Sequence, residues 1–67
     1  MIQINGEPKE GYEEKTLAGM IEQEGFDRTR IATEINGTIV SKQNYDETLL
    51  HDGDIVEVVN FVGGGSL

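Results

Sequence analysis

The chain has 67 residues, of which 36% are hydrophobic, and a formal net charge of −8. This length supports one small domain. The sequence has no cysteine, which excludes disulfides, thiolate metal sites and cysteine nucleophiles. The acidic balance argues against a nucleic-acid partner, and without a long apolar run or a signal-peptide pattern we expect a soluble cytoplasmic protein that contacts no membrane.

The chain opens with a predicted β-hairpin. Residues 1–4 alternate apolar and polar side chains and stop at the turn dipeptide Asn5-Gly6. Residues 7–12 return, but Pro8 lacks a backbone N–H and Gly11 weakens a strand. We therefore expect this arm to be a short strand at the edge of a sheet.

A helix of about nine residues is predicted next. Thr16 suits its N-cap, because a threonine hydroxyl can accept a hydrogen bond from the first helical turn. Gly25 stands where a left-handed C-terminal cap belongs. Apolar residues at helical spacing predict the buried face, which consists of Leu17, Met20 and Ile21.

A second hairpin and a long loop follow the helix. Residues 31–35 alternate in polarity, turn at Asn36-Gly37 and return through residues 39–40. Residues 41–50 lack strand alternation and are expected to wrap around the domain. We expect three apolar side chains to hold this loop in place: Tyr45, Leu49 and Leu50.

The last predicted element is the most strand-like segment of the chain. Asp52-Gly53-Asp54 predicts a tight turn into residues 55–61, which carry Val or Ile at both parities. A strand that is apolar on both faces is typical of the centre of a sheet, so we place it parallel to the N-terminal strand, with the helix over one face. We assign Val56 and Val58 to the helix side, which leaves Glu57, Val59 and Phe61 on the open face.

Three consecutive glycines follow Phe61-Val62 directly. A glycine run has no side chain to pack and loses the most backbone entropy when it is ordered. We therefore predict a domain over residues 1–62 and a flexible tail over residues 63–67 that reaches at most about 17 Å. Such a tail fits a channel too narrow for a Cβ atom and suits delivery of a C-terminal carboxyl group into another protein's active site.

Other residue types give no catalytic or metal site. His51 is the only histidine, and no Ser or Cys nucleophile is placed by the sequence to use it. The carboxylates lack EF-hand spacing and histidine partners, so we interpret them as a solvated face. The glycine run is not a phosphate-binding loop, because no helix follows it.

Taken together, these features resemble the ubiquitin-like β-grasp sulfur carriers, above all the ThiS family of thiamine-biosynthesis sulfur carrier proteins. The resemblance covers the whole chain and rests on the ββαββ order, the Asn36-Gly37 hairpin, the Asp52-Gly53-Asp54 turn and Phe61-Val62 abutting the glycines. It implies an α+β fold of the ubiquitin-like β-grasp type, with a mixed sheet and one main helix packed on one face.

The resemblance also implies a function. In that family a ubiquitin-activating-enzyme-like adenylyltransferase of the ThiF type uses ATP and Mg²⁺ to adenylate the terminal glycine, so no cofactor is expected on this chain. A cysteine desulfurase or another donor supplies sulfur, and the resulting thiocarboxylate gives that sulfur to a thiazole synthase of the ThiG type. Carried over, Gly65 would bear the sulfur and Gly63 and Gly64 would thread into the partner, while the chain itself would be a monomer and not an enzyme.

One departure leaves alternatives open. Family members end on glycine, whereas here Ser66 and Leu67 follow and make Gly65 an internal amide that cannot be adenylated. The two residues are either removed by a processing protease or were introduced by an expression vector. The alternative functions are a molybdopterin-synthase-type sulfur carrier, a ubiquitin-like modifier joined to lysines, and a plain interaction module with a Gly-Ser linker.

Val59 and Phe61 are the predicted docking residues. If both face solvent beside the tail, they form an apolar patch that an adenylyltransferase could hold while it threads the glycines. The alternative is that the neighbouring strands half-bury them.

Overall fold

Five strands form one mixed sheet, and an α-helix packs on one of its faces. The computed structural model describes residues 1–61, so the predicted tail and its boundary at residue 62 lie outside the described residues. Two 3-10 turns cover Arg28–Arg30 and Lys42–Asn44. The strands and the helix are β1 (Ile2–Ile4), β2 (Glu7–Lys9), α1 (Leu17–Gln23), β3 (Ile31–Ile35), β4 (Thr38–Val40) and β5 (Ile55–Asn60).

The strand order is β2-β1-β5-β3-β4, which places the last strand of the chain at the centre of the sheet. Strand β5 runs parallel to β1, where Gln3 pairs with Ile55, and antiparallel to β3 along its whole length. Strand β2, which contains Pro8, lies at an edge. The predicted α+β fold, the central position of the final strand and its parallel pairing are therefore confirmed. The described element order is ββαβββ, which has one strand more than the ββαββ order named for the resemblance.

Both Asn-Gly dipeptides form the hairpin turns that the sequence predicts, and their side chains also bind β5. Asn5 and Gly6 have φ angles of 51° and 86°, as a tight hairpin turn requires. The Asn5 amide then pairs with the backbone of Val58: its Oδ1 accepts from the N–H at 2.7 Å and its Nδ2 donates to the carbonyl at 3.2 Å. Asn36 Oδ1 accepts from the N–H of Ile55 at 2.9 Å. Each asparagine thus ties its turn to the central strand.

Helix α1 has the predicted caps. The Thr16 hydroxyl accepts a hydrogen bond from the N–H of Gly19 at 3.0 Å, and the chain leaves the helix through Gly25 at φ +85°. The helix is shorter than expected, because the backbone already departs from it at the C-cap residue Glu24. The core that it covers consists of Ile2, Ile4, Tyr12, Leu17, Met20, Ile21, Ile31, Tyr45, Leu50, Val56 and Val58.

The loop over residues 41–50 is held by two of its three predicted anchors. Tyr45 and Leu50 are fully buried, whereas Leu49 is 46% exposed. The prediction for Leu49 was wrong because the loop is extended there: Leu49 bridges to Thr16, the next residue Leu50 bonds to Lys15, and successive side chains of extended backbone point to opposite sides. Only one of the two leucines can face the core.

Within residues 1–61, no helix is both long enough and apolar enough to cross a lipid bilayer.

Candidate functional site

Strand β5 alternates between the core and the open face of the sheet, which is the face that helix α1 does not cover. Val56 and Val58 are buried against the core, as predicted. Glu57, Val59 and Phe61 are exposed, and 58% of Val59 and 46% of Phe61 are accessible to solvent. The prediction that the neighbouring strands leave these residues on the open face is therefore confirmed.

The residues around Val59 extend this apolar surface only in part. Val59 lies opposite Ala32 on β3, whose side chain is too small to cover it. One row further along, Glu57 lies opposite Glu34, and Glu34 in turn lies opposite the exposed Ile39 on β4. The open face therefore changes from acidic at its middle to apolar toward the end of β5.

Phe61 is fixed at the end of β5 by its backbone and its ring. Its N–H donates to the carbonyl of Arg30 at 2.8 Å, which continues the pairing with β3 one residue beyond the strand. The Lys42 ammonium lies 5.8 Å from the centre of the phenyl ring and also donates to the carbonyl of Thr29 at 3.3 Å. The last described residue thus has a defined position on the open face.

A carboxylate next to this position stays ionised at neutral pH. The Asp27 side chain accepts hydrogen bonds from the hydroxyl and the N–H of Thr29, and these bonds lower the pKa of its carboxyl group. The positive charges of Arg30 and Lys42 lower that pKa further. Asp27 therefore offsets part of the positive charge around Phe61.

Replacing Glu57 with Lys should raise the free energy of unfolding by about 0.2–1 kcal/mol, because like charges directly opposite each other destabilise a sheet. Glu34 and Glu57 are such a pair, and the substitution turns their repulsion into attraction. Urea unfolding of the variant would measure the change. Glu10→Lys is the matched control, since Glu10 is exposed outside the strands and its replacement changes the net charge equally. An equal gain in both variants would show that only the overall charge matters.

The remaining residues singled out from the sequence either lie away from this site or fall outside the described residues. His51 is exposed before the turn into β5, with its Nδ1 4.0 Å from a carboxylate oxygen of Asp54. In the described part of the chain, no three His, Asp or Glu side chains are grouped as metal ligands. Gly63, Gly64 and Gly65 lie outside the described residues.

Two residues beside Phe61 were missed by sequence reasoning, namely Arg30 and Lys42. Arg30 could have been found from the strand register, because it precedes β3 by one residue and therefore lies opposite Phe61. Lys42 carries no such signal, since it lies in a 3-10 turn of a loop without periodicity.

Comparison with known proteins gives one consistent family. The sequence profile of the ThiS family matches residues 2–65. The sulfur carrier protein ThiS of Bacillus subtilis is 32% identical over 66 residues, which are 97% of this chain and 100% of that protein. The crystal structure of the thiamine biosynthesis protein ThiS from Geobacter metallireducens has a TM-score of 0.78 at 28% identity, and covers 96% of this chain and 97% of that chain. This similarity confirms the ubiquitin-like β-grasp fold.

A second kind of relative is much longer than this chain. The thiazole synthase of Magnetococcus marinus is 39% identical over 64 residues, which are 96% of this chain but 20% of that protein. The similarity therefore concerns one segment of a larger protein.

Proposed function

Because the chain belongs to the ThiS family, we propose that it is a sulfur carrier of thiamine biosynthesis that brings sulfur to the formation of the thiazole ring. The observation that carries this proposal is the exposed pair Val59 and Phe61 at the end of β5, which stands directly before the glycine run in the sequence. An apolar patch at this place provides a surface that a partner can bind while the tail enters the partner's active site.

The chemistry takes place at the carboxyl group of Gly65 once that residue is the last of the chain. A carboxylate is a poor electrophile, so the partner first joins it to AMP from ATP, with Mg²⁺, and pyrophosphate leaves. A sulfide equivalent then displaces AMP from the acyl carbon and leaves a thiocarboxylate. Gly63 and Gly64 pass through the partner's channel because they carry no Cβ atom. The carrier acts as a substrate of its partners, not as an enzyme.

Two partners are part of the proposal. The first is an adenylyltransferase of the ThiF type, and a cysteine desulfurase or another donor supplies the sulfur. The second is a thiazole synthase of the ThiG type, and its support is the relative of that name that contains a segment similar to this chain. We place the reaction in the cytoplasm, with the carrier monomeric between encounters.

The direct test is the mass of a chain that ends at Gly65. After incubation with ATP, Mg²⁺, the cognate adenylyltransferase and a sulfur donor, the intact protein should have gained the mass difference between one sulfur and one oxygen atom. A covalent adduct to a lysine of another protein would identify a modifier instead. The proposal would be contradicted if the mass of this chain stayed unchanged although the adenylyltransferase was shown to be active on another carrier protein.

Replacing Phe61 with Ala should weaken binding to the adenylyltransferase by about tenfold or more, because a central aromatic side chain carries much of the energy of an interface. Its thermal stability should change little, because substitutions at the surface, away from the core, usually change the free energy of unfolding by less than about 0.5 kcal/mol. The hydrogen bond from the N–H of residue 61 to the carbonyl of Arg30 remains in the variant, since it involves only backbone atoms. Titration calorimetry and a thermal melt of the same preparation measure the two effects.

Leu49→Ala is the matched control, since Leu49 is also 46% exposed but lies beside Thr16 and not on β5. It should bind the adenylyltransferase like the unaltered chain. A large loss of stability in Phe61→Ala together with intact binding would contradict the docking role.

A further inference from the structure

The positive charges of this acidic chain are concentrated where β5 ends. Of its five Lys and Arg residues, three lie in the two 3-10 turns beside Phe61. The turns are joined to each other, because Arg28 donates to the carbonyl of Lys42 at 3.0 Å and Lys42 donates to the carbonyl of Thr29 at 3.3 Å. They are joined to β5 through the bond between Phe61 and Arg30.

Arg28 is used inside the domain. Its guanidinium binds the carboxylate of Asp46, at 3.2 and 3.4 Å, and lies 5.3 Å from the centre of the Tyr45 ring. These contacts hold the loop over residues 41–50 and leave Arg28 little capacity for a partner.

Arg30 and Lys42 have fewer contacts. The Arg30 side chain is 64% exposed, and its Nε lies 3.7 Å from an oxygen of Asp27, an ion pair that is too long for a hydrogen bond. Lys42 is exposed, and within residues 1–61 its ammonium forms no salt bridge with a carboxylate. We call Arg30 and Lys42 the basic collar, because both lie beside Phe61 at the point where the chain continues into the tail.

We propose that the basic collar binds carboxylate side chains of the adenylyltransferase, next to the opening through which the tail enters. This rests on the proposed function and adds the chemistry of the partner's surface. Two exposed cations beside an apolar ring fit a rim that carries Asp or Glu around an apolar centre.

The same arrangement fixes the direction of docking. Within residues 1–61, the open face is acidic at its middle, where Glu34 lies opposite Glu57, and its basic side chains are those of the collar. An acidic rim therefore attracts the end of the domain that bears the tail and repels the rest of a chain with a net charge of −8. A carrier that approaches in another orientation meets unfavourable charge before the tail can enter.

The test is charge reversal at the collar. Arg30→Glu and Lys42→Glu should each weaken binding to the cognate adenylyltransferase by about tenfold at 50 mM salt, and this difference should shrink at about 500 mM salt because exposed charges are screened. Lys15→Glu is the matched control, since Lys15 is exposed before the helix and its replacement changes the net charge equally. Lys42→Arg keeps the positive charge and should bind like the unaltered chain. Lys42→Gln removes the charge without reversing it and should weaken binding less than Lys42→Glu.

The result that would overturn the collar is a Lys42→Glu variant that folds and binds as well as Lys15→Glu. If the unaltered chain gains sulfur in the intact-mass assay, that result contradicts the role of the collar and leaves the sulfur-carrier function intact. If the unaltered chain neither binds the adenylyltransferase nor gains sulfur, both proposals are wrong.

Discussion

A chain that ends at Gly65 should accept one sulfur atom, whereas the chain that continues through Ser66 and Leu67 should accept none. The reason is chemical: only a terminal carboxylate can attack ATP, and in the longer chain the carbonyl of Gly65 is part of an amide. The two chains should differ by the presence or absence of the reaction. No substitution in the tail should have a larger effect on sulfur transfer. Intact-mass analysis of both chains after the same incubation with ATP, adenylyltransferase and sulfur donor would measure it.

The matched variant is Gly64→Ala in the chain that ends at Gly65. It keeps the terminal carboxylate but adds a Cβ atom inside the partner's channel and restricts the backbone. We expect sulfur to be accepted at least about tenfold more slowly, since a small misplacement of a reacting group costs that much or more. If the longer chain gained sulfur while it retained Ser66 and Leu67, Gly65 could not be the acceptor. Loss of both residues during the incubation would instead reveal a processing protease.

The sequence predicts most of this fold because its turns and caps are specified by local residues. Asn5-Gly6 and Asn36-Gly37 fix two hairpins through their positive φ angles, and Thr16 and Gly25 mark the ends of one helix. Once two hairpins and a helix are placed, the final apolar strand has one position in which it pairs with a strand on each of its edges, at the centre of the sheet. Each of these steps needs only neighbouring residues and periodicity.

What the sequence does not predict depends on contacts between distant segments. Leu49 and Leu50 are identical in type, and only the pairing of Leu49 with Thr16 decides which of them faces the core. The side chain of Asn5 bonds to Val58, far along the chain, and no pattern around Asn5 indicates this. The basic collar also depends on contacts between distant segments, since it forms only when two separate turns meet at the end of β5.

Replacing Tyr45 with Ala should lower the free energy of unfolding by about 3–5 kcal/mol, because truncating a buried aromatic side chain leaves a cavity. Tyr45 is fully buried, and it connects the loop to the sheet through a hydrogen bond from its hydroxyl to the Thr33 hydroxyl at 3.0 Å. A domain of this length has a stability of only about 3–10 kcal/mol, so the loss is a large fraction of the total. Urea unfolding followed by circular dichroism would measure the loss.

The hydroxyl of Tyr45 can be separated from its ring by a double-mutant cycle with Thr33. Tyr45→Phe should cost about 1–3 kcal/mol, because it leaves the buried Thr33 hydroxyl without its partner. Adding Thr33→Val removes the unpaired group and should recover most of that loss, since two apolar groups of similar shape replace a bonded pair. If the double variant were as unstable as the sum of the single ones, the two hydroxyls would act independently. Tyr45 would then hold the loop through the packing of its ring and not through its hydroxyl.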